Sequence, residues 1–388
     1  MQRPVWLICG THLLVEVYIL VQVALIPVLI QEFGMGIIEA SLIATIPSLV
    51  ALLMNLPAGF LADRFSPNQL LGMSMLIEGA SALLVSQTRD FLTLLLCVSL
   101  LKLSSPLYHI SGLSQISRLA EPKKIVRQIG FHNALGNVGT TAGLITLAAC
   151  LPTIGWRWTY FFWALPAIAW GFIVLRSAPL KIKVDNKPRA RMTESLSKLR
   201  LILLSGLLAF LVIIAFREVG ATSVFTYMTT FFVDIRGLSE FAASLVFSIG
   251  PFAGIFGSLA GGYFAERVGA KKAFSWAILG CLLSILGLLF FSHIYLVVFA
   301  YVLYALFNYA VLSPMNAIVA GFAPLSDRGL GYSVYFFTEG VVASATPTLA
   351  AGLIQLTNVW FILPMSAVFL LASLFILQFL YQTKRRAY

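Results

Sequence analysis

The chain has 388 residues, 60% hydrophobic and only 11% charged, with a formal net charge of +11 and a mean hydropathy of +0.93. Soluble globular chains carry about 25% charged residues, so this composition excludes an ordinary water-soluble enzyme or binding domain and points to a lipid solvent. Thirty Phe and 29 Gly suit membrane helices, where glycine lets backbones approach closely.

About 20 apolar residues cross a hydrocarbon core. Runs on that scale lie near 4–30, 37–62, 69–87, 91–118, 126–151, 157–176, 200–228, 240–265, 272–292, 294–322, 329–356 and 359–381. They predict an all-α integral membrane protein with twelve transmembrane helices. The first run is too long for the core of a removable secretory signal and carries His12 and Glu16, so it reads as a span. Cys9, Cys97, Cys150 and Cys281 all sit within apolar runs and read as small buried residues, not as disulfide or metal positions.

One long polar stretch interrupts the pattern and divides the chain into an N-terminal six-helix half (1–176), a basic linker (177–200) and a C-terminal six-helix half (201–388). The linker carries seven Lys and Arg between Lys181 and Arg200. A solvated cytoplasmic loop is the preferred reading over a partner-binding or lipid-head-group segment.

Lys and Arg set the orientation. With the N-terminus inside, 21 of the 26 basic residues are cytoplasmic. Only Arg89, Arg157 and Arg236 fall outside, and Lys102 and Arg217 lie within spans. Both termini are therefore expected on the cytoplasmic side of an inner or plasma membrane. The net charge is a topology signal and not a nucleic-acid footprint.

The halves echo each other. Gly59, Asp63 and Arg64 follow the second span, and Gly262, Glu266 and Arg267 follow the eighth, at an offset of 203. Arg127-x-x-Gly130-Phe131 opens the fifth, and Arg328-x-x-Gly331-Tyr332 opens the eleventh, at an offset of 201. Duplicated halves place a solute site at their interface near the midplane.

On these motifs the sequence resembles the major facilitator superfamily over its whole length. The resemblance implies two pseudo-symmetric six-helix halves, alternating access and a functional monomer. It also implies that the acid-and-base pairs Asp63/Arg64 and Glu266/Arg267 form gating contacts between the halves. The first copy departs from the usual Gly-Arg-Arg/Lys continuation and reads Ser66-Pro67-Asn68. A narrower likeness, to the fosmidomycin-resistance branch of efflux carriers, rests on four places. These are His12-x-x-x-Glu16-x-Tyr18, Leu107-Tyr108-His109 with Gly112-Leu113-Ser114, Gly136-Asn137-Val138-Gly139 with Gly143, and Phe216-Arg217 with Thr229-Thr230-Phe231.

An ionisable group inside a membrane helix is costly and is by default a functional candidate. At 100° per residue His12 and Glu16 share one face of the first helix, and Thr11, Tyr18 and Gln22 cluster on an adjoining one. Lys102, Ser105 and His109 form a stripe on the fourth, which Pro106 is placed to kink. Glu16, Lys102 and Glu339 lie roughly 18, 16 and 15 Å into their spans at 1.5 Å per residue, all near mid-membrane. Glu16 is read as the carrier of a coupling proton within reach of Lys102. Lys102 and Arg217 are read as holders of an anionic group, Arg by bidentate contact. The alternative for this set is a structural ion pair. Arg217, placed in the outer half of the seventh span, and Glu339 admit a structural role equally, and for Glu78 it is preferred. Arg217 and Glu218, being adjacent, are expected to point about 100° apart and not to share a partner.

His12 and Glu16 are i, i+4, but two ligands alone are a weak metal signal. A proton relay or hydrogen bond is preferred, and neither metal nor cofactor is expected. His109 and Asn133 are placed on the cavity wall. Gly136, Gly139 and Gly143 are read as close-packing positions. Tyr301, Tyr304 and Asn308 share a face that is either an aromatic wall or a helix interface. No Walker loop, nucleophile elbow or HExxH occurs, so an enzyme or ATP-driven pump is not expected. The expected function is proton-coupled export of a small, possibly anionic or drug-like solute. Uptake by symport and a non-transporting sensor are the alternatives.

Overall fold

The computed structural model describes residues 3–119, 125–177, 206–322 and 328–385, and these are helical throughout, with no strands. The basic linker falls almost wholly outside them. The first half consists of α1 (Arg3–Glu16), α2 (Val21–Ala24) and α3 (Ile26–Phe33) in one broken span, then α4 (Ile37–Arg64) and α5 (Pro67–Val85). A second broken span, α6 (Phe91–Leu101) and α7 (Ser104–Leu119), is followed by α8 (Ile125–Cys150) and α9 (Arg157–Arg176). The second half consists of α10 (Leu208–Asp234), α11 (Glu240–Val268), α12 (Ala270–Phe290), the broken pair α13 (Ile294–Ala310) and α14 (Leu312–Phe322), α15 (Arg328–Leu356) and α16 (Ile362–Arg385).

These make the twelve expected spans. Eleven are long and apolar enough to cross a membrane by length and composition alone. The twelfth, α8, has the length but carries His132, Asn133, Asn137, Thr140 and Thr141. It tolerates them because it is packed between α1 of its own half and α11 of the other, away from lipid over much of its surface. The seventh span departs from its expected limits. It runs on to Asp234 because Thr229 and Thr230 are buried helix residues, not an end. Arg217 therefore lies near the middle of its helix and not in the outer half.

Proline explains the break at Leu25, where Pro27 acts on Val23, and two others. A proline supplies no N–H to the carbonyl four residues back and crowds it. Pro106 acts on Lys102, and α6 stops at Leu101 with Lys102 as its cap. Pro314 acts on Ala310, where α13 ends. The break after Glu16 has no proline. There the chain turns through bonds from Val17 N–H to the Leu14 carbonyl and from Ile19 N–H to the Glu16 carbonyl, both 3.2 Å. Ser66-Pro67-Asn68 also gains an explanation. Ser66 Oγ accepts from the Gln69 N–H at 3.4 Å, and Gln69 Oε1 accepts from the Ser66 N–H at 2.8 Å. With Pro67 in the first turn this is a capping box that starts α5.

Glycines set the helix spacing, as expected. A Cβ on Gly139 would fall 1.8 Å from the Leu13 carbonyl oxygen, and one on Gly143 2.0 Å from that of Val17. The second half repeats the device. A Cβ on Gly257 would fall 2.2 Å from the Leu306 oxygen, and one on Gly261 2.1 Å from that of Ala310. The halves meet where α8 packs on α11 and α4 on α15. Polar bonds cross the seam: Asn137 Nδ2 donates to Ser258 Oγ at 3.0 Å, and the Thr45 and Thr348 hydroxyls lie 2.8 Å apart. At the end of the bundle away from the termini, Arg157 pairs with Glu32 at 2.7 Å and donates to the Thr88 carbonyl at 2.6 Å.

Candidate functional site

A cavity of about 470 Å³ lies between the halves. Three of the helix breaks sit beside one of its polar residues: Glu16 ends α1, Lys102 caps α6, and Asn308 lies two residues before the end of α13. Interrupted backbone at membrane depth is tolerated only where it is buried in protein or lines a wet cavity.

On the first half's wall, Glu16 is held between two imidazoles. Its Oε1 is 3.4 Å from His12 Nε2 and 3.4 Å from His109 Nε2. His12 stacks on His132 with ring centroids 3.8 Å apart, and its Nδ1 is 2.9 Å from the His132 carbonyl oxygen. A carbonyl only accepts, so His12 Nδ1 carries the proton in that bond. The Nε2 of neutral His12 then presents a lone pair to a carboxylate oxygen, and a cation between them is required for attraction. His132 is fixed in turn by the Tyr108 hydroxyl at 2.5 Å. Gly136 makes room for this stack, since a Cβ there would fall 2.6 Å from His12 Cε1. Three of the chain's four histidines thus converge on one carboxylate.

Lys102 is buried at the cavity edge, in electrostatic reach of Glu16 and of Glu78. The groups in direct contact with Glu16 are the imidazoles and not Lys102. Glu78 is fully buried behind the wall. No bond that meets hydrogen-bond geometry reaches either of its carboxylate oxygens; Ser104 is a near neighbour, but its hydroxyl donates to the Leu101 carbonyl at 2.9 Å.

The opposite wall is built differently. Arg217 pairs with Glu218 and reaches both the side-chain and the backbone oxygen of Asn308, the latter at 3.0 Å. The expected divergence of Arg217 and Glu218 does not occur. The long arginine stem bends across the 100° between them, and both line the cavity. Glu339 accepts from the Tyr335 hydroxyl, one turn earlier on α15.

Of the path residues expected from sequence, His12, Glu16, Lys102, His109, Asn133, Arg217, Asn308 and Glu339 all line this cavity. Tyr18 does not. Its hydroxyl donates to the Tyr160 carbonyl at 3.0 Å and its ring stacks on Tyr160. Thr11 likewise faces α9, accepting from Trp170 Nε1 at 3.1 Å. That side of α1 is a packing face. Gln22 reaches the cavity because the chain unwinds between Glu16 and Val21, which breaks the uniform 100° projection. Tyr301 and Tyr304 are fully buried outside the cavity, and the aromatic wall is formed by Phe225, Tyr309, Tyr335 and Phe336. Tyr335 went unnoticed in the sequence, although its spacing of four from Glu339 was a usable signal.

The first gating copy ends α4, but the side chains of Gly59, Asp63 and Arg64 lie outside the described residues. In the second copy Gly262 is buried, whereas Glu266 and Arg267 are exposed. The Arg267 guanidinium sits 4.2 Å over the Tyr263 ring of its own helix.

The sequence pattern of the Major Facilitator Superfamily matches residues 9–347 and, in a second match, 256–387. The chain belongs to the major facilitator superfamily. Among curated relatives, a probable nitrate/nitrite antiporter of Thermus thermophilus is 24% identical over 69% of this chain and 62% of its own length. A probable sugar efflux transporter of Haemophilus influenzae is 25% identical over 62% of this chain and 58% of its own length. The fosmidomycin resistance protein of Escherichia coli is 22% identical over 70% and 66%. The chain thus spans about three fifths of the length of the first two. A crystal structure of a bacterial homolog of the human lysosomal transporter Spinster, inward-facing and occupied, matches the fold with a TM-score of 0.73 at 15% identity, over 99% of this chain and 98% of that one. The family is one of multi-pass membrane transporters, and the long apolar helices of this chain fit that architecture.

Proposed function

We propose that the protein is a proton-coupled exporter of a small anionic or drug-like solute. It works as a monomer, by alternating access between halves 1–176 and 201–388 joined by the basic linker 177–200. Both termini are cytoplasmic, in the cell's inner or plasma membrane. The reading is carried by one observation: a carboxylate clamped by two imidazoles shares a single cavity with a buried arginine.

Glu16 and His12 need a cation between them, and the proton is the simplest. Histidine exchanges protons near neutral pH, whereas arginine does not. The first half is therefore the coupling side and the second half the anchoring side. Arg217 offers a planar fork to a carboxylate or phosphonate, and Lys102 adds a point charge. The N-terminal ends of α7 and α14 open beside the cavity, through Ser105 and Leu312, and favour negative charge there. Solute arriving at Arg217 competes with Glu218 for the guanidinium. Proton arrival at Glu16 changes the charge on the facing wall. Export is favoured over uptake because the relatives' names include an antiporter, an efflux transporter and a resistance protein.

The test is expression in a bacterial host stripped of its efflux pumps, challenged with a toxicant panel that includes fosmidomycin. Glu16→Gln and Lys102→Met run in parallel at matched membrane levels. Resistance with the wild type that is lost in Glu16→Gln, and lost on collapsing the proton gradient, supports the proposal. Resistance that survives Glu16→Gln removes Glu16 from the coupling step and leaves Glu339 as its replacement.

A further inference from the structure

The cluster around Glu16 has a property that proton coupling does not require. One ring nitrogen each of His12 and His109 and a Glu16 carboxylate oxygen all lie within 4.8 Å of one another. Two of the three separations, His12 to Glu16 and His109 to Glu16, are 3.4 Å. A tetrahedral ion with bonds of about 2.0–2.1 Å sets its ligand atoms about 3.3–3.4 Å apart. Two edges of such a coordination shell are therefore already in place, and only the edge between the imidazoles has to close. We propose that His12, Glu16 and His109 form a binding site for a borderline divalent transition metal of the zinc and cobalt class, open to the cavity at its remaining position.

Two further observations support this. The His132 carbonyl accepts from His12 Nδ1 at 2.9 Å, which turns the Nε2 lone pair towards Glu16. A backbone carbonyl holding the far nitrogen is the usual arrangement behind a metal-binding histidine. All three ligand residues line the cavity, so a fourth ligand, water or a solute anion, has access. Lys102 stands near, within electrostatic reach of the carboxylates Glu16 and Glu78 and of His109 itself, so a metal bound there adds to an existing positive charge. Imidazole nitrogen selects zinc, cobalt, nickel or copper over magnesium and calcium, which prefer all-oxygen shells.

The site shares Glu16 with the proposed coupling step, but metal binding is read on the resting protein without any transport. Loss of proton coupling with metal binding intact, or the reverse, separates the two proposals. The experiment is a cobalt titration of the purified full-length protein in detergent. It follows the visible absorption of tetrahedral cobalt, with zinc as competitor. The expected result is a saturable tetrahedral spectrum, displaced by zinc and unaffected by magnesium. His109→Ala should weaken it by about tenfold or more. His293→Ala, at the turn before α13, should leave it unchanged. His109 carries the test if His12→Gln fails to fold, because it lies on the cavity wall and not in the His132 stack. A spectrum that is absent, or equal in the wild type and His109→Ala, would overturn the site.

Discussion

The two halves share a scaffold and differ in chemistry. In the first, Gly139 and Gly143 seat α8 on the carbonyls of Leu13 and Val17; in the second, Gly257 and Gly261 seat α11 on those of Leu306 and Ala310. The charged clusters carried by these scaffolds are unlike. The first half has a carboxylate held between two imidazoles, a residue type able to take up and release a proton. The second has a guanidinium fixed by Glu218 and Asn308, whose charge is permanent. Close packing tolerates little change and keeps the echo visible. A cavity wall carries whatever its cargo requires, so the halves are free to diverge there.

The largest expected effect tests the shared scaffold. Gly139→Val and Gly257→Val each force a side chain into a backbone carbonyl, and overpacking of this kind costs about 1–3 kcal/mol even where neighbours can shift. Both variants should lose most folded protein in a detergent melting and membrane-level assay. Gly352→Ala, with nothing within 4 Å of the added Cβ, should behave as wild type. Equal tolerance of Gly139→Val and Gly352→Ala would break the structural half of the comparison.

The division of labour predicts a smaller and more specific effect at Arg217. Arg217→Lys keeps the charge but loses the fork, so apparent solute affinity should fall roughly tenfold, about one charge-assisted hydrogen bond. The solute-to-proton ratio should stay the same. A changed ratio with unchanged affinity would move Arg217 to the coupling side.

The smallest effect lies outside the membrane. Asp90 caps α6, accepting from the Thr93 N–H at 2.9 Å, and this bond holds its carboxyl below the usual carboxylate range. Its stabilising contribution is complete above the unfolded carboxyl pKa of about 3.9 and is lost as pH falls through the lower folded value. Asp90→Asn should lower the melting temperature slightly at neutral pH, with the difference shrinking in acid. A difference that grows in acid would contradict the cap.

The spans were legible because hydrophobic length is a direct consequence of bilayer thickness. The close-packing glycines were legible for a similar reason, since small residues one turn apart have few other uses in a membrane helix. Pro106 and Pro314 mark breaks at Lys102 and Ala310 by covalent geometry alone. The break after Glu16 follows from no local residue type, and beyond it Gln22 lines the cavity as its polar sector predicts while Tyr18 turns away to Tyr160. Arg217 and Glu218 were misjudged because Cβ directions were used where a flexible side chain decides the contact. The convergence of His12, His109 and His132 joins residues 120 positions apart and depends on how α1, α7 and α8 pack.

The central claim is that Glu16 couples solute movement to protons. Its most direct test is proton movement in sealed liposomes containing the purified protein and an internal pH dye, with fosmidomycin, nitrate and a hexose offered in turn. At least one should evoke proton movement in the wild type, and the same solute should evoke none in Glu16→Gln. Proton movement of equal size in the two proteins would contradict the account.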